Sequence, residues 1–365
     1  MIEGIRRWVE IESPTYEAAA VNRVMDCVVA EAQDAPLRVE RIAGRGGFGD
    51  SVALRTERAG EAPGILILSH LDTVHPIGTL ARLAFRRDGD RLYGPGVYDM
   101  KGGAYLAFEA LRRAARAGSI RLPVTQLFTA DEEIGSPTTR DLIEAEAKRA
   151  RYVLVTEPAR DGGKVVTSRK GVGRFDISTK GRPAHSGSRH EAGRSAIREM
   201  ARQVLAIEGM TDYARGVTTT VGLISGGTAA NVVPQHCTAT IDLRVRDDEA
   251  GREMVARLLG LRPCDPDVEL SVTGGMNRPP FAKSPAIDSL FRHARALAAE
   301  IGFALAESPM TGGGSDGNFT AALGVPTLDG LGIDGDGAHT EWEYGLVSSI
   351  EPRALLLQRL IETLE

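Results

Sequence analysis

Six acidic or imidazole side chains in this chain have the types and spacing to hold a metal ion and work on a bound water. They are His70 and Asp72 in Ser69-His70-Leu71-Asp72, then Asp99, the pair Glu132-Glu133 after Asp131, and Glu157 before Pro158. His70 and Asp72 are two apart, so on an extended segment they share a face. Asp72 can then orient the His70 ring and decide which nitrogen is left to ligate. Glu132 and Glu133 are adjacent and point differently, which suits two tasks: one carboxylate on a metal, the other on the water that the metal activates. Singly, each pattern reads as a solvated loop. Together they recur at the ends of three separate apolar segments, and solvated loops have no reason to do that.

Those segments are Gly64 to Leu68, Val124 to Phe128 and Tyr152 to Val155, short apolar runs that suit strands covered on both faces. Helical patterns lie between them, Tyr105 to Ala117 and Thr138 to Ala150, and the N-terminal 32 residues read as two helices broken at Ser13-Pro14-Thr15. Strand alternating with helix predicts an α/β domain with a mixed, mostly parallel sheet and helices on both faces. In such sheets ligands bind beyond the carboxyl ends of the strands, so the polar clusters should meet in one crevice. From about Gly171 the rhythm becomes strand Gly173–Thr179, helix Arg194–Ile207, strands Val217–Ile224 and Cys237–Val245, helix Asp248–Leu259 and strand Val268–Val272. This β-α-β-β-α-β order is the ferredoxin-like α+β pattern. Thr273 to Pro280 reads as a linker back to the first domain, which resumes with a helix over Ala286–Gly302. The expected division is therefore 1–170 with 279–365, interrupted by 171–278, with hinges near 170 and 278.

The segments SHLDTV (69–74), GPGVYDMKGG (94–103), TADEEIGS (129–136), TEP (156–158) and GAHTEWE (337–343) resemble the metal-binding motifs of the M20 metallopeptidases, in order and spacing along essentially the whole chain. Among these, the glutamate carboxypeptidases of the carboxypeptidase G2 type are the most similar. The resemblance implies a zinc-peptidase-like catalytic domain with an inserted lid. It implies that His70, Asp99 and Glu157 hold one zinc and that Asp99, Glu133 and His339 hold the other, so that Asp99 bridges them. Three carboxylates then face two divalent ions, and a bridging hydroxide brings the cluster to neutrality. Such a pair can stabilise both the attacking and the developing oxyanion oxygen. The same resemblance makes Glu132 the general base for the hydroxide that attacks the carbonyl and gives Asp72 its orienting role. His and carboxylate ligands suit zinc and leave cobalt or manganese open.

The resemblance also implies substrate contacts in the lid. GRPAHSGSRH (181–190), ANVVP (230–234) and Asp242-Leu243-Arg244 are similar to segments in which a histidine and an asparagine stabilise the oxyanion and an arginine grips the substrate carboxylate; here these are His185, Asn231 and Arg244. A guanidinium can hold a carboxylate with two parallel hydrogen bonds, and an ion pair inside the lid is the competing role for Arg244. Gly313 and Gly314 lie in Thr311–Asp316 before a predicted helix, where consecutive N–H groups can hold an anion; the resemblance implies a glycine-rich loop of this kind beside the substrate carboxylate, and an ordinary tight turn is the competing role. A homodimer through the lid domain is a further implication of the resemblance. The expected activity is hydrolysis of an amide or peptide bond beside a free carboxylate. The alternative is an N-acyl-amino-acid deacylase similar to acetylornithine deacetylase or succinyl-diaminopimelate desuccinylase, which would use the same metal centre.

Two other motifs point elsewhere. Gly44 to Gly49 fits G-x-G-x-x-G, but a strand follows where a dinucleotide site needs a helix, so it reads as a hairpin turn. Gly313 to Gly317 fits G-x-S-x-G, with Asp334 or Asp336 and His339 in the order of a serine hydrolase, yet that reading leaves the acidic cluster unused. A non-catalytic metal-binding scaffold has no positive support, since no expected ligand or base is missing. His75, His190, His236 and His293 read as surface or structural residues.

The chain has 365 residues, which suits two domains, and 44 Lys and Arg against 49 Asp and Glu leave a net charge of −5. No basic surplus calls for nucleic acid or an anionic membrane, and the expected partner is a small peptide or N-acyl amino acid. Forty-two glycines exceed the usual share of about 7%, and many lie in the motifs above. Cys27, Cys237 and Cys264 lack C-x-x-C spacing and are expected to be reduced and buried. With no apolar leader segment and no stretch of about 18 apolar residues, a cytoplasmic protein is expected.

Overall fold

The computed structural model describes residues 1–57 and 63–365. The chain divides into two compact units, one of Met1–Ser168, Ala282–Thr311 and Ser315–Glu365, the other of Arg169–Phe281 with Gly312–Gly314.

The first unit is built on a six-stranded sheet in the order Arg38–Ile42, Ser51–Arg55, Val124–Thr129, Gly64–His70, Ala150–Val155, Thr327–Leu328. The last four strands run parallel to one another, and the first two join as an antiparallel hairpin over the Gly44–Gly49 turn. The apolar runs are continuous because both faces are covered. Val52, Leu54, Ile65, Ile67, Phe128 and Leu154 face one core, while the alternate residues Ala53, Leu66, Leu68, Leu127, Val153 and Val155 face the other. The larger core receives the helices Ile2–Val9, Ala18–Ala32, Gly102–Ala117, Pro285–Ile301 and Val347–Thr363. Trp8 anchors it, its ring centroid 5.0 Å from Tyr105 and 5.3 Å from Phe108. The helix predicted over Thr138–Ala150 shortens to Arg140–Ala147. Thr138 and Thr139 are taken up instead by hydrogen bonds from their hydroxyls to the Asp131 carboxylate, a use of Thr that competes with helix.

A small antiparallel sheet was not foreseen. It joins Gly335–Asp336, Tyr344–Leu346, Arg91–Tyr93 and Arg86–Asp88 in that order. Strands of two or three residues carry no periodic signal, and they form because partners distant in sequence supply their hydrogen bonds.

The second unit is a four-stranded antiparallel sheet ordered Glu269–Arg278, Gly171–Lys180, His236–Val245, Thr218–Gly226, with the helices Ala196–Glu208 and Asp248–Leu259 packed on it. Strand Gly171–Lys180 alternates buried and exposed residues, as a sheet with one covered face requires. This is the expected ferredoxin-like order, with one correction. Thr273 to Arg278 is not a linker but the end of the last strand, paired with Gly171–Lys180 except where the register shifts at Asn277. Gly274 (φ 124°) serves a close approach: a Cβ there would lie 2.2 Å from the Arg174 carbonyl oxygen. The cysteines need a second correction: all three are free thiols, but of them only Cys237 is buried, Cys27 being half-buried and Cys264 exposed. Among the described residues no helix is long and apolar enough to cross a membrane.

Candidate metal centre

Three of the parallel strands end side by side and deliver their C-terminal residues to one edge of the sheet. His70 closes Gly64–His70, Glu132 and Glu133 follow Val124–Thr129, and Glu157 follows Ala150–Val155. Asp99 lies in the turn before helix Gly102–Ala117, reached from strand Arg91–Tyr93. His339 lies between Gly335–Asp336 and Tyr344–Leu346, so the small sheet is what brings the Asp99 and His339 segments together. His339 adopts a left-handed backbone (φ 65°), uncommon for a residue with a side chain and a feature that clusters at functional sites.

The side chains meet as two trios sharing one carboxylate. His70 Nε2 is 3.3 Å from Asp99 Oδ1 and 3.7 Å from Glu157 Oε1. His339 Nε2 is 3.4 Å from Asp99 Oδ2 and 3.1 Å from Glu133 Oε2. Within each trio the potential ligand atoms lie within 4.8 Å of one another. Glu132 belongs to neither trio but sits beside them, with Oε2 4.0 Å from His70 Nε2.

The supporting contacts explain the orientation. His70 Nδ1 is 2.9 Å from the Asp72 carbonyl oxygen and 3.5 Å from the Asp72 carboxylate, so the ring proton is held on that side and Nε2 turns to the cluster. The closer partner is thus the main chain of Asp72 rather than its carboxylate. That carboxylate, fully buried, accepts from Thr15 Oγ1 at 2.7 Å and from the backbone N–H groups of Glu132 and Glu133, each at 3.2 Å. Two further buried carboxylates clamp the same turn. Asp131 accepts from Thr138 N and Oγ1, both at 2.7 Å, and Asp316 accepts from the hydroxyls of Thr129 and Ser136. Neither Asp131 nor Asp316 was singled out for this in the sequence, because an Asp that holds main chain looks the same there as one that holds a ligand.

The electrostatics follow from crowding. Hydrogen bonds to Asp99 and Glu133 lift the His339 imidazolium to about 11 against the cost of burial. Burial opposes charge on His70, but Asp72, Asp99 and Glu132 outweigh it and hold its pKa well above the usual histidine range. Burial, reinforced by the Asp99 charge, pushes Glu133 up to about 8. For Asp99 burial works against ionisation, yet the two imidazoles prevail and hold it below the carboxylate range.

The residues fit a pair of divalent cations on two grounds. Glu133 Oε1 is buried without a hydrogen-bond partner among the described residues, a cost that coordination would remove. Tetrahedral zinc with ligands at about 2.0–2.2 Å sets neighbouring ligand atoms about 3.3–3.6 Å apart, and the four separations above cluster around that span.

The remaining expected site residues belong to the second unit. His185 is exposed and its Nδ1 accepts from the N–H groups of Gly187 and Ser188, which leaves the proton of the neutral ring on Nε2. Asn231 lies on the adjoining segment, its carbonyl accepting from Ser186 N at 3.0 Å. Arg244 is engaged with its neighbour: Nε and Nη2 donate to the two oxygens of Asp242 at 2.7 and 2.9 Å, and Nη1 donates to the Gly312 carbonyl. The Gly313 carbonyl likewise accepts from Arg169 Nη1, and a Cβ on Gly314 would meet Arg278 at 2.7 Å. The helix after this loop is only Gly317–Ala322. Ser315 is not presented as a nucleophile, since its hydroxyl donates to Asp329 at 2.6 Å, whereas His339 faces Asp99 and Glu133.

Comparison with known proteins agrees in family. The model of peptidase family M20/M25/M40 matches residues 66–363. The chain is 32% identical to carboxypeptidase G2 of Pseudomonas sp. (strain RS-16) over 99% of its own length and 88% of that protein's. It is 34% identical to the acetylornithine deacetylase of Myxococcus xanthus over 43% of each chain. Among solved structures, a tripeptidase from Staphylococcus aureus superposes with a TM-score of 0.76 at 20% identity, covering 99% of this chain and 96% of that one, which speaks for the fold alone.

Proposed function

Since this chain belongs to the M20/M25/M40 peptidase family, we propose that it is a di-zinc exopeptidase or amidohydrolase that cleaves an amide next to a free carboxylate. The observation that carries this reading is the sharing of Asp99 between two His-and-carboxylate trios, with Glu132 beside them. His70, Asp99 and Glu157 would hold one ion, and Asp99, Glu133 and His339 the other. Two divalent ions bound there supply Lewis acidity toward the amide carbonyl and offset the charge of three carboxylates. Glu132 takes a proton from the attacking water and returns it to the departing nitrogen. Asp72 keeps that base in register by holding the main chain of Glu132 and Glu133. His185, through its Nε2–H, and Asn231 are the proposed donors to the oxyanion, with Gly313 and Gly314 beside the substrate. Arg244 is the proposed grip on the substrate carboxylate; to bind it, the guanidinium must exchange one carboxylate partner, Asp242, for another. The unit Arg169–Phe281 acts as lid and dimerisation domain, and the other as catalytic domain, in a cytoplasmic homodimer.

A second reading, N-acyl-amino-acid deacylase, is favoured by the likeness to acetylornithine deacetylase over part of the chain. Hydrolysis of a dipeptide ending in Glu, an N-acyl-glutamate and N-acetylornithine, each with zinc, cobalt and manganese, separates the two. Preference for substrates with a C-terminal Glu, loss of activity to a chelator and indifference to a serine-reactive phosphonate are expected. Activity that survives complete metal removal would refute both readings.

A further inference from the structure

Glu343 is a fully buried carboxylate whose oxygens hold the main chain of the segment carrying Asp99. Its Oε1 accepts from the backbone N–H groups of Tyr98 at 2.8 Å and Asp99 at 2.9 Å. Its Oε2 accepts from Gly96 N at 2.9 Å and lies 2.7 Å from Nε2 of His75, itself 7% exposed. A carboxylate withdrawn from water is costly unless its lone pairs are met, and here four donors meet two oxygens. Three N–H groups of one tight turn converging on an anion form a nest, with Gly96 in the left-handed region (φ 73°) that such a turn needs.

The connectivity gives the contact its meaning. Glu343 follows His339 by four residues, and His75 follows His70 by five, so one carboxylate ties together the three segments that supply His70, Asp99 and His339. Asp99 presents one oxygen to each imidazole, at 3.3 and 3.4 Å, and that split depends on the rotation of the turn that Glu343 holds. We propose that Glu343, with His75, is the positioning pair for the shared carboxylate and so sets how tightly both trios bind divalent cations. This rests on the reading of Asp99 as a metal ligand.

An amide at 343 cannot serve all four donors, because its NH2 group would face either Gly96 N and His75 or the N–H groups of Tyr98 and Asp99. At position 75, an N–H donor is what matters. The test measures zinc dissociation constants of the full-length chain by competition with a chromophoric chelator, alongside thermal melts of the metal-free chain. Glu343→Gln is expected to weaken zinc binding 10- to 100-fold, the usual effect of losing a partner that orients ligands. His75→Leu should weaken it in the same sense, and His75→Gln, which keeps a donor, should restore most of it. The inference is overturned if Glu343→Gln melts lower yet binds zinc as the parent does, or if His75→Gln and His75→Leu lose affinity equally. Should Glu343→Gln not fold, the His75 pair decides the matter alone. Asp99→Asn is the control: parent-like affinity in that variant sinks the metal-centre reading itself, whereas its loss beside an unchanged Glu343→Gln sinks only the positioning role.

Discussion

Replacing Glu132 with Gln separates a proton-transfer role from a ligand role. The backbone of residue 132 is held by Asp72 and its turn is clamped by Asp131 and Asp316, so an isosteric amide leaves the turn in place. A general base in this position contributes a factor of about 10²–10⁴, so the transition state should lose about 2.7–5.4 kcal/mol, seen in kcat rather than KM. The variant also removes a charge 4.0 Å from His70 Nε2. At an effective permittivity between 20 and 80 that charge is worth about 1–4 kcal/mol to a neighbouring cation, enough to weaken metal binding without abolishing it. The assay must therefore run in excess metal, with occupancy measured on the same sample. At full occupancy, kcat within tenfold of the parent would refute the assignment of Glu132 as base. A collapse in occupancy that excess metal cannot reverse would make it a ligand instead.

Other perturbations test the frame around the centre. Loading the chain with zinc near pH 7 should release protons, because His339, held at about 11, and His70, held well above its usual range, must be neutral to ligate. Apparent affinity should rise with pH, and calorimetry in two buffers of different ionisation heat should find about one to three protons per chain; no release would contradict the ligand set. Glu146 accepts both Nη groups of Arg55 at 2.8 Å with both side chains nearly buried, so Glu146→Ala should cost about 3–5 kcal/mol in denaturant unfolding. Lys101 is fully buried, and burial pushes its ammonium down to about 7, although its Nζ donates to the Ile11 carbonyl at 2.6 Å. Between that value and about 10.4 the unfolded chain holds a proton the folded one has lost. Stability should therefore rise with pH across this window, by up to about 1.4 kcal/mol per unit, and Lys101→Met should flatten the rise.

The sequence by itself determined the α/β class, the ferredoxin-like order of the inserted segment and the side chains with chemistry to offer. Apolar runs such as Gly64–Leu68 and Val124–Phe128 announce strands covered on both faces, and a polar residue that ends such a run must lie at a sheet edge. His70, Glu132, Glu133 and Glu157 were legible for that local reason. Asp99 stood out only as an acidic loop residue between two of these runs, and His339 only through motif resemblance, because no periodicity marks the strands of two or three residues that flank them. Tertiary structure alone decided which carboxylates face the cluster and which face the main chain. Asp72, Asp131, Asp316 and Glu343 are carboxylates like Asp99 and Glu133, and spacing does not separate the two groups. Their division follows from where backbone N–H and hydroxyl donors converge, as the Asp99 turn converges on Glu343 across 244 residues of sequence. A buried carboxylate settles on whichever donors surround it, and those donors come from segments that only the folded chain brings together.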